Sequence, residues 1–188
     1  RNLVSFNFGG EHLHIARNHF HDYIPNCDSE ALMTHLWMAR WTKPSIRMLT
    51  PTTGEIIDPS GEVTNECLEG AVIDVVEGHG IGQMRQIIKR AGTSFEIDSP
   101  WYFTPDKTSR LVFTAPPPFR KLTFIDNRII TQAVNMILWG STHDAVIDGN
   151  YVADGPGITL WSVRLAADQK VWGGAGFTQI INNITDQG

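Results

Sequence analysis

Nothing in the 188-residue sequence approaches the roughly 18 to 20 consecutive apolar residues of a membrane span, and no stretch has the pattern of a signal peptide. No membrane is expected as a partner. Cysteine is scarce: Cys27 and Cys67 make neither a disulfide framework nor the C-x-x-C spacing of a metal site. Basic residues are in deficit, 15 Lys plus Arg against 20 Asp plus Glu, for a net charge of −5 with no basic run, which excludes a general nucleic-acid binder. Charged residues reach only 19% against 41% apolar, so disorder driven by charge is excluded as well. What the sequence does have is turn chemistry, 17 Gly and 10 Pro, in a chain whose length fits one domain with a modest insertion at roughly 100–200 residues per domain.

Four segments align on one asparagine: Leu13 to Phe20 on Asn18, Leu122 to Ile129 on Asn127, Ala145 to Val152 on Asn150, and Thr178 to Thr185 on Asn183. Each has an apolar residue three positions before the Asn, and the first three have another two positions after it. A period of 20 to 30 residues with short β-type runs reads as a solenoid. Asn suits its bends because it tolerates the left-handed conformation and bonds nearby backbone. Coils repeating every ~4.8 Å would also stack one amide on the next. The expected fold is therefore all-β, a right-handed parallel β-helix with a β-rich insertion: coils over 1–36, loop and insertion over 37–114, and coils continuing over 115–188.

Within the insertion, Trp37 to Pro59 carries Pro44, Pro51, Gly54 and Pro59 and reads as loop. Gly70–Glu77, Gln86–Arg90, Ser94–Asp98 and Arg110–Thr114 read as strands between Gly-rich turns, and Ala115 to Pro118 as a stiff hinge. The one weak helix candidate lies around Asp28 to Met38. The sequence stops at Gly188 inside a repeat, so flanking chain or a homo-oligomer is expected to cover open solenoid ends.

The insertion contains Gly80-Ile81-Gly82-Gln83-Met84-Arg85, then Asp98-Ser99-Pro100-Trp101, then Pro105-Asp106-Lys107-Thr108-Ser109. With Asp28 to Thr34 as an acidic loop, this order resembles bacterial carbohydrate-active proteins with a right-handed parallel β-helix of the pectate-lyase-like kind. Where many of those relatives have a carboxylate and a small residue after that loop, this sequence has His35-Leu36-Trp37. The resemblance implies a polysaccharide or oligosaccharide partner and a secreted or periplasmic setting.

Hydrolysis of a glycosidic bond needs two carboxylates, about 5–5.5 Å apart for retention or 6.5–9.5 Å for inversion. Glu30, Asp28 and Asp144 are the leading candidates, because they do not recur at one repeat position, with His143 as an acid or base. Asp22 and Asp154 each lie four residues past a ladder Asn, so they are either turn residues or substrate contacts. Asp148 stands two before one. Arg17 and Arg128 flank the repeats and would neutralise a uronate, as a lyase requires, or serve as a solvated rim. Trp139 and Trp161 occupy matching places in successive repeats, as a core ladder or as a platform for sugar rings.

The His12, His14, His19 and His21 cluster reads as an exposed strand face, so no metal site is expected. No cofactor is expected for a hydrolase, and Ca2+ only for a lyase. The expected function is a glycoside hydrolase, with a polysaccharide lyase or a non-catalytic glycan-binding or structural solenoid as the alternative. Cys27 and Cys67 form either a bridge pinning the irregular chain between them or two unrelated buried thiols.

Overall fold

The structure, a computed structural model, describes residues 4–7, 9–23, 30–35, 39–41, 44–58, 69–114, 118–132, 134–140, 142–161 and 175–186. Cys27, Cys67 and Asp28 lie outside the described residues. The chain divides into two compact units, Arg1–Trp37 with Phe119–Ser162 and Ala175–Gly188 in the first, and Met38–Pro118 with Val163–Gly174 in the second. Its first strands are β1 (Val4–Asn7), β2 (Gly10–Glu11), β3 (His14–Ala16), β4 (His19–Tyr23) and β5 (Glu30–His35). The second unit contributes β6 (Ala39–Trp41), β7 (Ser45–Met48), β8 (Thr53–Ile57), β9 (Val72–Glu77), β10 (Met84–Ala91), β11 (Ser94–Ile97) and β12 (Arg110–Thr114). Back in the first unit come β13 (Phe119–Arg120), β14 (Thr123–Ile125), β15 (Arg128–Thr131), β16 (Val134–Trp139), β17 (Thr142–His143) and β18 (Val146–Asp148). The last are β19 (Tyr151–Ala153), β20 (Ile158–Trp161), β21 (Ala175–Gly176), β22 (Gln179–Ile181) and β23 (Ile184–Asp186).

In the first unit the strands form four parallel sheets, ordered β1-β5-β16-β20, β2-β13-β17-β21, β3-β14-β18-β22 and β4-β15-β19-β23. Single left-handed residues set the strand lengths. His12, Lys121, Asp144 and Phe177 occupy the bend between the second and third sheets at φ of 52–59°. Arg17, Asp126, Gly149 and Asn182 occupy the next bend at 52–66°. The residue after that second bend is the repeated asparagine. Asn18, Asn127 and Asn150 each donate both the backbone N–H and Nδ2 to Oδ1 of the next Asn, at 2.8–3.1 Å. Asn127 and Asn150 are 1% exposed. Their Nδ2 groups also cap the carbonyls of Ile15 and Phe124, so buried backbone that the bend strips from the ladder keeps a partner. Inside, Ile15, Phe124 and Ile147 stack in register beside Ile129 and Val152 to make the core.

In the second unit the seven strands form one antiparallel sheet, ordered β6-β12-β9-β10-β11-β8-β7. Gly92 at φ +60° opens the two-residue turn between β10 and β11, the Gly-first pattern of a type II′ hairpin. Ile73, Val75, Phe95, Ile97 and Phe113 pack one face into a second core.

This corrects the expectation of a right-handed parallel β-helix with a β-rich insertion: the strands belong to several short parallel sheets plus a curled antiparallel half-barrel, not to a single solenoid. The physical reason lies in the turns. Left-handed bends separate the short strands β2 from β3, β3 from β4 and their counterparts in the other repeats of the first unit, and tight hairpin turns favour antiparallel pairing in the second. Two local expectations are corrected with it. The segment read as a weak helix holds β5, whose Leu32 and Met33 pair in parallel register with Met136 and Ile137. The segment read as loop contains β7 and β8, because Pro51 sits in the connecting turn rather than in either strand.

Candidate functional site

The carboxylates singled out from sequence fall on different sheets. Glu30 opens β5 on the first sheet, buried and in register with Val134. Asp144 is the left-handed residue after β17 on the second sheet. Asp148 ends β18 on the third, where it accepts from Asn182 Nδ2 at 3.0 Å. Asp22 lies on β4 and Asp154 in the bend after β19, both on the fourth, and Asp154 is exposed at φ 65°.

One polar cluster does form in the first unit. Glu11, Arg120 and His143 follow one another in parallel register across β2, β13 and β17. Arg120 and His143 are buried. Arg120 Nη2 donates to Asp144 Oδ2 at 3.1 Å, and its Nη1 lies 4.0 Å from Glu11 Oε1. Lys121 Nζ stands 3.9 Å from Glu11 Oε2. Both carboxylates thus lie beside cations, which is how the buried charge of Arg120 is tolerated. Glu11 and Arg120 were not picked out from sequence; their signal is the register that joins them to His143.

Arg17 is the exposed left-handed residue between β3 and β4, so its position serves the bend. Arg128 lies over the Tyr151 ring, 4.5 Å from the centroid. The Tyr151 hydroxyl donates to Asp186 Oδ2 at 3.1 Å, which holds the phenol above its ordinary value of 10.0. Trp139 and Trp161 do stack, with centroids 5.1 Å apart and planes within 10°, and Trp161 remains half-exposed. The His19 and His21 rings lie 4.6 Å apart, but no group of three or more His, Cys, Asp or Glu able to hold a metal occurs among the described residues.

The most constructed surface lies in the second unit, on the motif residues around Gln83 and Arg85. Gln83 Oε1 accepts the backbone N–H groups of Tyr102 and Phe103 at 2.8 and 3.1 Å, while its Nε2 donates to the carbonyls of Phe103 and Gly80 at 2.9 and 3.1 Å. Arg85 Nε donates to the carbonyls of Ser99 and Pro100 at 3.0 and 2.9 Å, and its Nη1 to that of Met84 at 2.6 Å. The guanidinium also lies 5.1 Å from the Trp101 ring centroid and 5.2 Å from that of Tyr102. Two glycines allow the approach: a Cβ at Gly78 would meet the Thr108 carbonyl oxygen at 1.9 Å, and one at Gly80 would meet Gln83 Nε2 at 2.5 Å. Asp106 Oδ1 closes the neighbouring turn by accepting from Thr108 N–H at 2.7 Å and Thr108 Oγ1 at 2.6 Å.

These buried groups hold in place three exposed apolar side chains, Tyr102 (86%), Phe103 (61%) and Ile81 (65%), with His79 edge-on to Phe103 at 5.8 Å. Sequence reading quoted the motif as a family marker and missed its output. The available signal was the aromatic triplet Trp101-Tyr102-Phe103 directly after Pro100.

Fold and site together define an all-β protein whose buried polar side chains organise bends and loops. No protein-family model, curated protein or solved structure matches the chain.

Proposed function

We propose that this protein is a glycan-binding module whose contact surface is formed by Ile81, Tyr102 and Phe103. One observation carries the reading: the buried side chains of Gln83 and Arg85 are committed to fixing a loop that leaves two aromatic rings in solvent. Leaving a large apolar side chain exposed forgoes about 1.5–3 kcal/mol of burial. A clustered, rigidly held set of them marks a contact surface. A pyranose offers an apolar C–H face to stack on a ring and hydroxyls around its edge for polar neighbours, here His79 and Asp106. On this reading the protein works where extended glycans are met, in a secreted or periplasmic setting.

Binding is favoured over hydrolysis because Glu30, Asp144, Asp148 and Asp154 are distributed over four sheets and Asp144 is held by Arg120. Affinity electrophoresis against a polysaccharide panel tests the proposal. At least one polysaccharide should retard the protein, and Tyr102→Ala and Phe103→Ala should each weaken binding about tenfold or more, roughly 1.4 kcal/mol, at an unchanged melting temperature. Trp161→Ala should bind as the unmodified protein does. Retardation by no polysaccharide, or undiminished binding in both loop variants, would overturn the reading.

A further inference from the structure

Between the β7–β8 and β10–β11 hairpins of the second unit lies a hollow of about 300 Å³, lined in part by Leu49, Thr53, Lys89, Ala91, Phe95 and Glu96. It shares no lining residue with the aromatic loop. Leu49 is 58% exposed. The turn that carries it is nonetheless fixed, with Leu49 N–H donating to the Thr53 carbonyl at 2.9 Å and Thr53 N–H to Thr50 Oγ1 at 3.0 Å. Gly54 leaves the Phe95 ring its room: a Cβ there would meet Phe95 Cζ at 2.7 Å and the Arg47 carbonyl oxygen at 2.8 Å.

A bulge brings two opposite charges to this hollow. Ile87 stands opposite Ile97 and Lys89 opposite Glu96, so Ile88 is an extra residue in β10. Ile87 and Ile97 belong to the core. Without the extra residue, the two-residue period of a strand would turn Lys89 toward that core; with it, Lys89 shares a face with Glu96. Opposite charges on directly opposed residues ordinarily attract into a pair, their Cβ atoms being about 5 Å apart. Here the Lys89 ammonium and the Glu96 carboxylate form no ion pair with each other or with any other described residue. The neighbouring charges are engaged. Arg47 pairs with Glu55, while Arg90 donates Nε to the Gly92 carbonyl at 2.8 Å and its backbone N–H to Glu69 Oε1 at 3.1 Å.

We infer that this hollow binds a free α-amino acid with a large apolar side chain, its carboxylate on Lys89, its ammonium on Glu96 and its side chain against Leu49 and the Phe95 wall. An α-amino acid carries both charges on one carbon, as two opposed residues on one ladder rung require. A simple anion would face repulsion from Glu96 and a simple cation from Lys89, so either forfeits one attraction and meets one like charge. The volume is at the lower end of ligand pockets, which suits a molecule of this size. The inference stands whether or not the protein binds glycans.

Titration of the ¹⁵N-labelled full chain with L-phenylalanine, followed by amide NMR shifts, tests it. Shifts should saturate at residues of the hollow with a dissociation constant of about 1 mM or tighter. Two analogues probe the charges: 3-phenylpropionate lacks the ammonium and 2-phenylethylamine lacks the carboxylate, and each should bind about tenfold more weakly or worse. In Lys89→Met, L-phenylalanine should fall to the level of 2-phenylethylamine, and in Glu96→Gln to that of 3-phenylpropionate, a crossover that general loosening of the hairpins would not produce. The analogue comparison on the unmodified protein decides the matter even if a variant fails to fold. No saturable shift at the hollow, or either analogue binding as tightly as L-phenylalanine, would overturn it.

Discussion

Asn127 and Asn18 hold the same place in successive repeats, yet their surroundings differ. Asn127 is buried, donates to the Ile15 carbonyl and to Asn150, and accepts two donors from Asn18. Asn127→Ala removes those bonds with no water to replace them, and about 2–4 kcal/mol of stability should be lost. Asn18 is exposed, so Asn18→Ala should cost about 1 kcal/mol or less, since water satisfies what is uncovered. Urea unfolding midpoints compare the two; equal losses would mean that the ladder is ornament to the core rather than part of it.

At the scale of elements, the turn at Asp106 lies in the segment between β11 and β12 that carries the aromatic residues Tyr102 and Phe103. Hydrogen bonds from the Thr108 hydroxyl and backbone N–H hold the Asp106 carboxyl below its ordinary value of 3.8. A carboxyl depressed in the folded state contributes stability that is present above its unfolded value and is lost as pH falls through the folded one. The turn should therefore loosen only below about pH 4. In Thr108→Ala the larger of the two bonds is gone, and NMR titration should find Asp106 moved back toward 3.8; an unmoved titration would show that the hydroxyl does not hold the carboxylate.

Four of the seven strands in this second unit were legible, because β9, β11 and β12 alternate or run apolar and β10 follows the same signal to within two residues at its start, whereas β6, β7 and β8 lie in the Pro-rich stretch read as loop. The Asn repeat was legible for a related reason: a buried amide must recur wherever the same bend recurs. How those repeats assemble was not, and the single solenoid expected from them is corrected to several short sheets, because apolar spacing sets which side chains turn inward but not whether successive sheets form one wall. The aromatic loop escaped notice because its scaffold, Gln83 and Arg85, reaches across 15 to 20 residues to backbone atoms that carry no sequence signal.

For the whole molecule, the division of labour is between carboxylates placed on separate sheets and aromatic rings placed together on one loop. A hydrolase would depend on the first, a binding module on the second. The direct measurement pairs two double variants on the polysaccharide that retards the unmodified protein, with binding read by affinity electrophoresis and turnover by release of reducing ends. Tyr102→Ala with Phe103→Ala should lose binding, whereas Glu30→Gln with Asp144→Asn should bind as before, and the unmodified protein should release no reducing ends. Reducing ends released by the unmodified protein and abolished by the Glu30→Gln, Asp144→Asn pair, with binding undisturbed by loss of the two rings, would contradict this account.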